Sequence, residues 1–290
     1  MRKKNKDIQL TSYEDLLGID TIENQSMGQL IYASLEDLHE FKNHPFKVLD
    51  DEKMQETVES IKNYGVLTPG IARPSQDGGY EIIAGHRRKR GCELSGLTKM
   101  PIFVRNYNDD EATIIMVDTN IQREDILPSE KARAYTMKYE AMKHQGKRGG
   151  NTLDEVGAKA GESGKTVQRY IWLARLNDEL LELVDQKKIG MVQGVDLSFL
   201  NLQAQGWVFD IIQDTKIVIT TAQSAKLKEY GKKQELTLAM VQLILMEKKP
   251  KPRKVQIKED KIRQFFPESY SNEQIETVIY ELLEEWKDRQ

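Results

Sequence analysis

Residues 80–90 constrain this chain more than any other stretch. Tyr80-Glu81-Ile82-Ile83-Ala84 reads as a short strand, because β-branched residues follow an Asp77-Gly78-Gly79 turn signal. Gly85 ends that strand. His86-Arg87-Arg88-Lys89-Arg90 then opens a helical segment with Cys92, Leu94 and Leu97 as its apolar positions. Four cations therefore crowd the first turn and a half of a helix. A helix N-terminus already carries about half a positive charge, so each added cation costs roughly 0.3–1 kcal/mol. An anion would offset that cost, most simply a phosphate held by the free backbone N–H groups and by arginine forks. A solvated basic face is the other reading.

The chain has 290 residues, enough for two domains and a small third module. Its net charge of −3 excludes a nucleic-acid coat protein, so binding to DNA or phosphate has to come from local patches. Cys92 is the single cysteine, which excludes a disulfide framework. His39, His44, His86 and His144 are scattered without metal-ligand spacing. The first ten residues are basic and polar rather than a secretory signal, and no apolar run is long enough to span a bilayer. A cytoplasmic protein without membrane partners is expected.

Residues 1–30 lack periodicity and read as a flexible arm, with a short docking segment at 13–19. A brief strand is expected at 30–34. Asp50 or Asp51 can cap a helix whose apolar positions are Met54, Val58 and Ile61, closed by Gly65 in the left-handed conformation. Thr68-Pro69-Gly70-Ile71-Ala72-Arg73 makes a turn and strand, 100–105 another strand, and 109–123 a helix. Together, 31–127 form an α+β domain.

From Pro128, a good first-turn residue, the pattern turns helical. A helix over 128–145 leads to a basic joint, Gly146-Lys147-Arg148-Gly149-Gly150. Over 152–175, Leu153, Val156 and Ala160 share one apolar face, Gly161 supplies a tight turn, and Ser163 caps a second helix burying Val167, Ile171 and Ala174. Two short helices around a glycine turn are the helix-turn-helix signature. Its exposed start offers Ser163, Lys165, Thr166, Gln168 and Arg169 to phosphates and base edges, with Lys147 and Arg148 nearby in sequence. Residues 143–175 carry seven cations against three anions, on a protein that is negative overall. An ordinary helical hairpin is the alternative. A P-loop at Gly161-Glu162-Ser163-Gly164-Lys165-Thr166 is excluded, since the first glycine it needs is Lys159 and no strand leads in.

Short helices at 179–186, 204–212, 222–230 and 237–246 complete a helical domain over 128–247. A basic, proline-broken linker at 248–258 precedes a helical module at 259–290. There, 272–286 lines up Ile275, Val278, Ile279, Leu282, Leu283 and Trp286 in one stripe, to be covered by the chain itself or by self-association. Residues 268–290 hold seven acids and two bases, so this module should avoid DNA.

Placed in order, these pieces resemble the ParB family of plasmid and chromosome partition proteins. Gly65-Val66-Leu67-Thr68-Pro69-Gly70-Ile71-Ala72-Arg73-Pro74 resembles its G-(V/L)-x-Q-P-(I/L)-x-V-R-P segment. Gly85-His86-Arg87-Arg88-Lys89-Arg90 resembles its G-E-R-R-x-R box. Asn120-Ile121-Gln122-Arg123-Glu124-Asp125-Ile126-Leu127-Pro128-Ser129-Glu130-Lys131-Ala132 resembles its third box. The match covers about residues 30–200. It implies a ParB/sulfiredoxin-like α+β domain that binds a nucleotide triphosphate, CTP in the best-known members. An all-α helix-turn-helix domain recognising a palindromic double-stranded DNA site would follow. It also implies a homodimer, a ParA-type partner ATPase, and action on a nucleoid or plasmid. Carried over by position, Thr68, Arg73, Gly85, His86, Arg87, Arg88, Arg90, Asn120 and Arg123 would surround the nucleotide.

Three positions depart from the family pattern. His86 and Thr119 stand where the family has the glutamates that serve magnesium and hydrolysis, and Thr68 replaces a glutamine. Histidine is a poor ligand for Mg²⁺, which prefers oxygen. The resemblance therefore implies nucleotide binding but argues against metal-assisted hydrolysis, unless Asp118 rebuilds a site. Two other functions remain open. One is a helix-turn-helix repressor whose N-terminal domain ignores nucleotide. The other is an enzyme on the same fold, a kinase or a reductase, although Cys92 lies six residues beyond His86, too far to serve as a reductase nucleophile.

Overall fold

Ile82 and Ile83 sit side by side in sequence yet belong to different cores. The side-chain period of a strand is two, so neighbours face opposite sides of the sheet. The computed structural model describes residues 28–123, 125–146, 150–247 and 258–289. Strands β1 (Gln29–Ser34), β2 (Leu38–His39), β3 (Gly70–Pro74), β4 (Tyr80–Ala84) and β5 (Lys99–Val104) form one sheet in the order β1-β5-β3-β4-β2. β1 runs antiparallel to β5, and β3 antiparallel to β4, whereas the β2–β4 and β3–β5 pairings are parallel. The two-residue β2 has no sequence signal of its own; its pairing with Tyr80 and Glu81 makes it a strand.

Helices α1 (Glu52–Tyr64) and α2 (His86–Leu94) pack together, and Ile61 and Cys92 join Ile82, Met100 and Ile102 in one core. Asp51 caps α1 by accepting from the Met54 N–H at 2.8 Å. Gly65 closes α1 at φ +71°, the positive φ expected of a glycine there, but its ψ of −170° lies outside the left-handed helical region. Its N–H still reaches the Ile61 carbonyl at 2.9 Å.

Helix α3 (Asp109–Asn120) begins in a capping box between Asn108 and Glu111. α4 (Pro128–His144), α5 (Gly150–Ala158) and α6 (Gly164–Leu173) follow. Their buried side chains share a second core with the far face of the sheet, comprising Phe41, Phe46, Ile83, Met116, Val117, Tyr135, Val156 and Val167. A third core, built around Leu180, Leu197, Val208, Leu227 and Val241, holds α7 (Asp178–Asp185), α8 (Met191–Leu197), α9 (Leu202–Thr215), α10 (Thr221–Lys232) and α11 (Leu238–Met246). α8 has no counterpart among the helices expected from the sequence.

Glu247–Gln290 form a separate unit containing α12 (Glu259–Arg263) and α13 (Asn272–Asp288). α13 starts in a capping box between Ser271 and Gln274. Of its apolar stripe, Ile275 is buried, while Leu282, Leu283 and Trp286 are exposed. Among the described residues no helix is long and apolar enough to cross a membrane. Residues 1–27 of the arm expected at 1–30, with its docking segment, and residues 248–257 of the linker expected at 248–258 lie outside the described residues.

Candidate functional site

Gly85 makes the turn from β4 into α2 at φ +115°, where an L side chain is strained. A Cβ there would also lie 3.2 Å from the Gly70 Cα and 3.3 Å from the Met100 Sδ-methyl carbon. No side chain caps α2, and the Lys89 N–H, bonded to the Gly85 carbonyl at 2.9 Å, makes the first helical bond. The N–H groups of the first turn have no intrahelical acceptor, which is the geometry that receives an anion.

The arginines behind this turn already have partners. Arg87 Nη2 meets Asp51 at 3.1 Å, and Arg90 forks onto both Asp50 oxygens at 3.0 and 2.6 Å. Hydrogen bonds from Arg90 and Arg87 hold the Asp50 and Asp51 carboxyls below the ordinary carboxylate range, and Asp50 and Glu93 push the Arg90 guanidinium up. The anions that offset the crowded cations thus include two from the chain itself. Arg88 turns inward and donates to the Thr68 and Pro69 carbonyls, both at 2.5 Å, with burial lowering its pKa. Thr68 therefore meets Arg88 through its backbone. Arg73 is half-buried between Glu81 at 2.6 Å and Asp109 at 2.6 Å, and donates to the Tyr107 carbonyl. Burial works against its charge, but those carboxylates outweigh it and raise its pKa.

His86 occupies the first position of α2, and its ring lies 3.9 Å from the ring of His44, tilted by 40°. Asn43, at φ +59°, turns the chain so that His44 faces back. His44 Nδ1 lies 2.7 Å from the Phe46 carbonyl, so Nδ1 is the protonated nitrogen and Nε2 is bare in the neutral ring. Burial, then His44, Lys89 and Arg88, drive the His86 pKa down to about 3. Burial also lowers that of His44. His44 was not among the residues expected at this site; 42 positions separate it from His86 in the sequence and no local pattern marks it.

Two residues of the third box point into their own helix. Thr119 Oγ1 donates to the Ile115 carbonyl at 2.9 Å, and Asn120 Nδ2 donates to the Met116 carbonyl at 2.8 Å. Arg123 comes close enough to His44 to oppose its protonation. Glu130 accepts from the Lys47 N–H at 2.7 Å and the Leu127 N–H at 3.1 Å, fastening the loop that carries His44. Asp118 is paired with the buried Lys138. With His86 and Thr119 at the two glutamate positions and Asp118 so committed, the donor set does not fit magnesium. Cys92 is buried, and burial pushes its thiol pKa up, which makes it a poor nucleophile.

In the helix pair α5–α6, Gly161 makes the turn at φ +66°, and Gly157 lets α5 approach it; a Cβ there would lie 2.3 Å from the Glu162 carbonyl oxygen. Ser163 caps α6 by accepting from the Thr166 N–H at 3.3 Å. Asp154 accepts from the Gly164 N–H at 2.6 Å, which fastens α5 to the start of α6. Glu162 is held by Lys131 and by the Tyr135 hydroxyl of α4. These contacts leave Ser163, Lys165 and Arg169 exposed and Thr166 and Gln168 partly so. Lys165, Gln168, Arg169 and Trp172 line a groove of about 710 Å³. Lys147 and Arg148 lie outside the described residues.

A family model of the ParB N-terminal domain matches residues 20–121. The "Probable chromosome 1-partitioning protein ParB" of Deinococcus radiodurans is 31% identical over 188 residues, 65% of this chain and 62% of that protein, so this chain spans less than two thirds of that relative. A Caulobacter crescentus chromosome-partitioning protein ParB, solved truncated at its C-terminus in complex with CTP-gamma-S, is 27% identical. It covers 59% of this chain and 92% of that one at a TM-score of 0.31. The chromosome-partitioning protein ParB of Myxococcus xanthus is 30% identical over 208 residues, 68% of this chain and 67% of that protein. With the three boxes in order ahead of the helix-turn-helix, the chain belongs to the ParB family.

Proposed function

We propose that this protein binds a specific double-stranded DNA site and acts in plasmid or chromosome partition, switched by a nucleotide triphosphate at the start of α2. The observation that carries this reading is the exposed start of α6. Its cap and its ties to α4 and α5 hold Lys165, Gln168 and Arg169 ready for a major groove. The uncapped turn at Gly85 and the neighbouring arginines suit the phosphates, with CTP the nucleotide implied by the family boxes. His86, Arg87, Arg90, Asn120 and Arg123 would surround it, while Thr68, Arg73 and Arg88 would shape the cradle. Binding without hydrolysis is the expected outcome. The exposed Leu282, Leu283 and Trp286 support self-association into a homodimer, and a ParA-type ATPase would be the motor partner.

Selection of bound fragments from a random duplex library, followed by calorimetry with CTP, ATP and GTP, tests both parts. Enrichment of a palindrome together with CTP binding supports the proposal; no enriched site removes it. A second reading draws on the internal engagement of Arg73, Arg87, Arg88 and Arg90: a repressor whose N-terminal domain is inert. It predicts an enriched site and no heat with any of the three nucleotides.

A further inference from the structure

The side-chain nitrogens His44 Nε2 and His86 Nε2 are buried without a hydrogen-bond partner, the two such atoms found among the described residues. They belong to rings 3.9 Å apart, and His86 begins the helix whose first N–H groups are free. A buried polar atom left unpaired is costly, so two together mark a place prepared for a ligand. The chemistry of His44 says more. Its Nδ1 proton is given to the Phe46 carbonyl, so neutral His44 presents a lone pair at Nε2. A lone pair repels a phosphate oxygen. His44 can bond an oxyanion only after Nε2 takes up a second proton.

We infer that phosphate binding at the start of α2 is coupled to protonation of His44, with His86 donating beside it, so that the proton is a co-ligand of the nucleotide. This rests on the nucleotide reading above and deepens it by naming His44 as a binding residue. Glu40 and Glu130 favour a charge on His44, whereas Arg123 opposes it; Lys89, Arg88 and His44 itself oppose one on His86. In the free protein, burial and the proximity of the rings keep the pair neutral. The incoming oxyanion supplies the missing counter-charge, and the proton follows from solvent. Affinity then rises by up to about tenfold per pH unit as pH falls through the window between the free and bound titration of His44.

Two measurements on the full chain test this. Calorimetry with CTP and with inorganic triphosphate, in buffers of different ionisation enthalpy between pH 7.5 and 6, reads the protons taken up. Comparison with His44→Gln removes the contribution of the ligand's own titration. Proton-carbon NMR of the imidazoles in the unaltered protein reads the same event without a variant. The expected result is uptake approaching one proton per ligand, lost in His44→Gln, and a His44 ring that becomes charged near neutral pH only with ligand bound. Binding with unchanged ring titration, or uptake equal in His44→Gln, overturns the coupling and assigns His44 Nε2 to a donor on the ligand. No binding of either ligand at any pH overturns the nucleotide reading, and the inference with it.

Discussion

The chain carries two basic regions that look alike in sequence and differ in kind. At the start of α2, Arg87, Arg88 and Arg90 are engaged by carboxylates or carbonyls of the chain, as is Arg73 on the neighbouring strand β3. At the start of α6, Lys165 and Arg169 are exposed, while the polar groups around them hold the helix in place. Cationic side chains in the first region are framework before they are binding groups; in the second they are binding groups on a finished framework. A charge count alone cannot separate the two.

Five expected outcomes break or sharpen that contrast. Arg88→Ala should cost about 2–3 kcal/mol of folding stability, read by urea denaturation, because it removes charged hydrogen bonds to two carbonyls. Its nucleotide binding should fail as well. Arg87→Ala, whose partner is the more exposed Asp51, should lose nucleotide with far less effect on stability. If Arg88→Ala unfolds no more easily than Arg87→Ala, the framework role is wrong. Lys165→Ala and Arg169→Ala should each weaken specific DNA binding by about 1–3 kcal/mol where the side chain reads a base, at unchanged melting temperature. A gel shift unaltered in the double variant would remove α6 from the interface.

Acid should act on the first region through His86. Its pKa is about 3 in the folded chain, below the 6.5 of a free histidine. The unfolded chain therefore binds the proton first. Stability from this ring is complete above pH 6.5 and falls below it, by roughly 1.4 kcal/mol per pH unit down towards pH 3. Denaturation midpoints that stay level from pH 7 to 5 would contradict it. The smallest effect is expected at the cap: Ser163→Ala should cost about 1 kcal/mol of stability and blunt DNA binding, read by thermal melting and anisotropy.

What could be read from sequence was local. Asp51 and Ser163 announce helix starts because a cap reaches only a few residues ahead, and Gly161 announces its turn for the same reason. The resemblance to three boxes supplied the order of the larger pieces. Pairings set by topology were hidden. His44 reaches His86 because β2 lies parallel to β4 and Asn43 turns the chain, neither of which has a pattern in sequence. Glu130 bonds the Lys47 N–H across 83 positions. Asp50 and Asp51 looked like caps, and only packing of α1 against α2 shows them as counter-ions for Arg90 and Arg87.

The core that contains Ile83 also contains Val156 and Val167. One is a strand residue two positions before Gly85; the others are the interior of the helix pair. No cut near residue 127 leaves either half with its oily surface intact, since Phe41, Phe46 and Met116 would lose Tyr135, Val156 and Val167 as neighbours. The slowest amide protons of β4 and α6 should therefore exchange with a common opening energy, as parts of one cooperative unit. What looks like two modules strung together would melt, evolve and transplant as one.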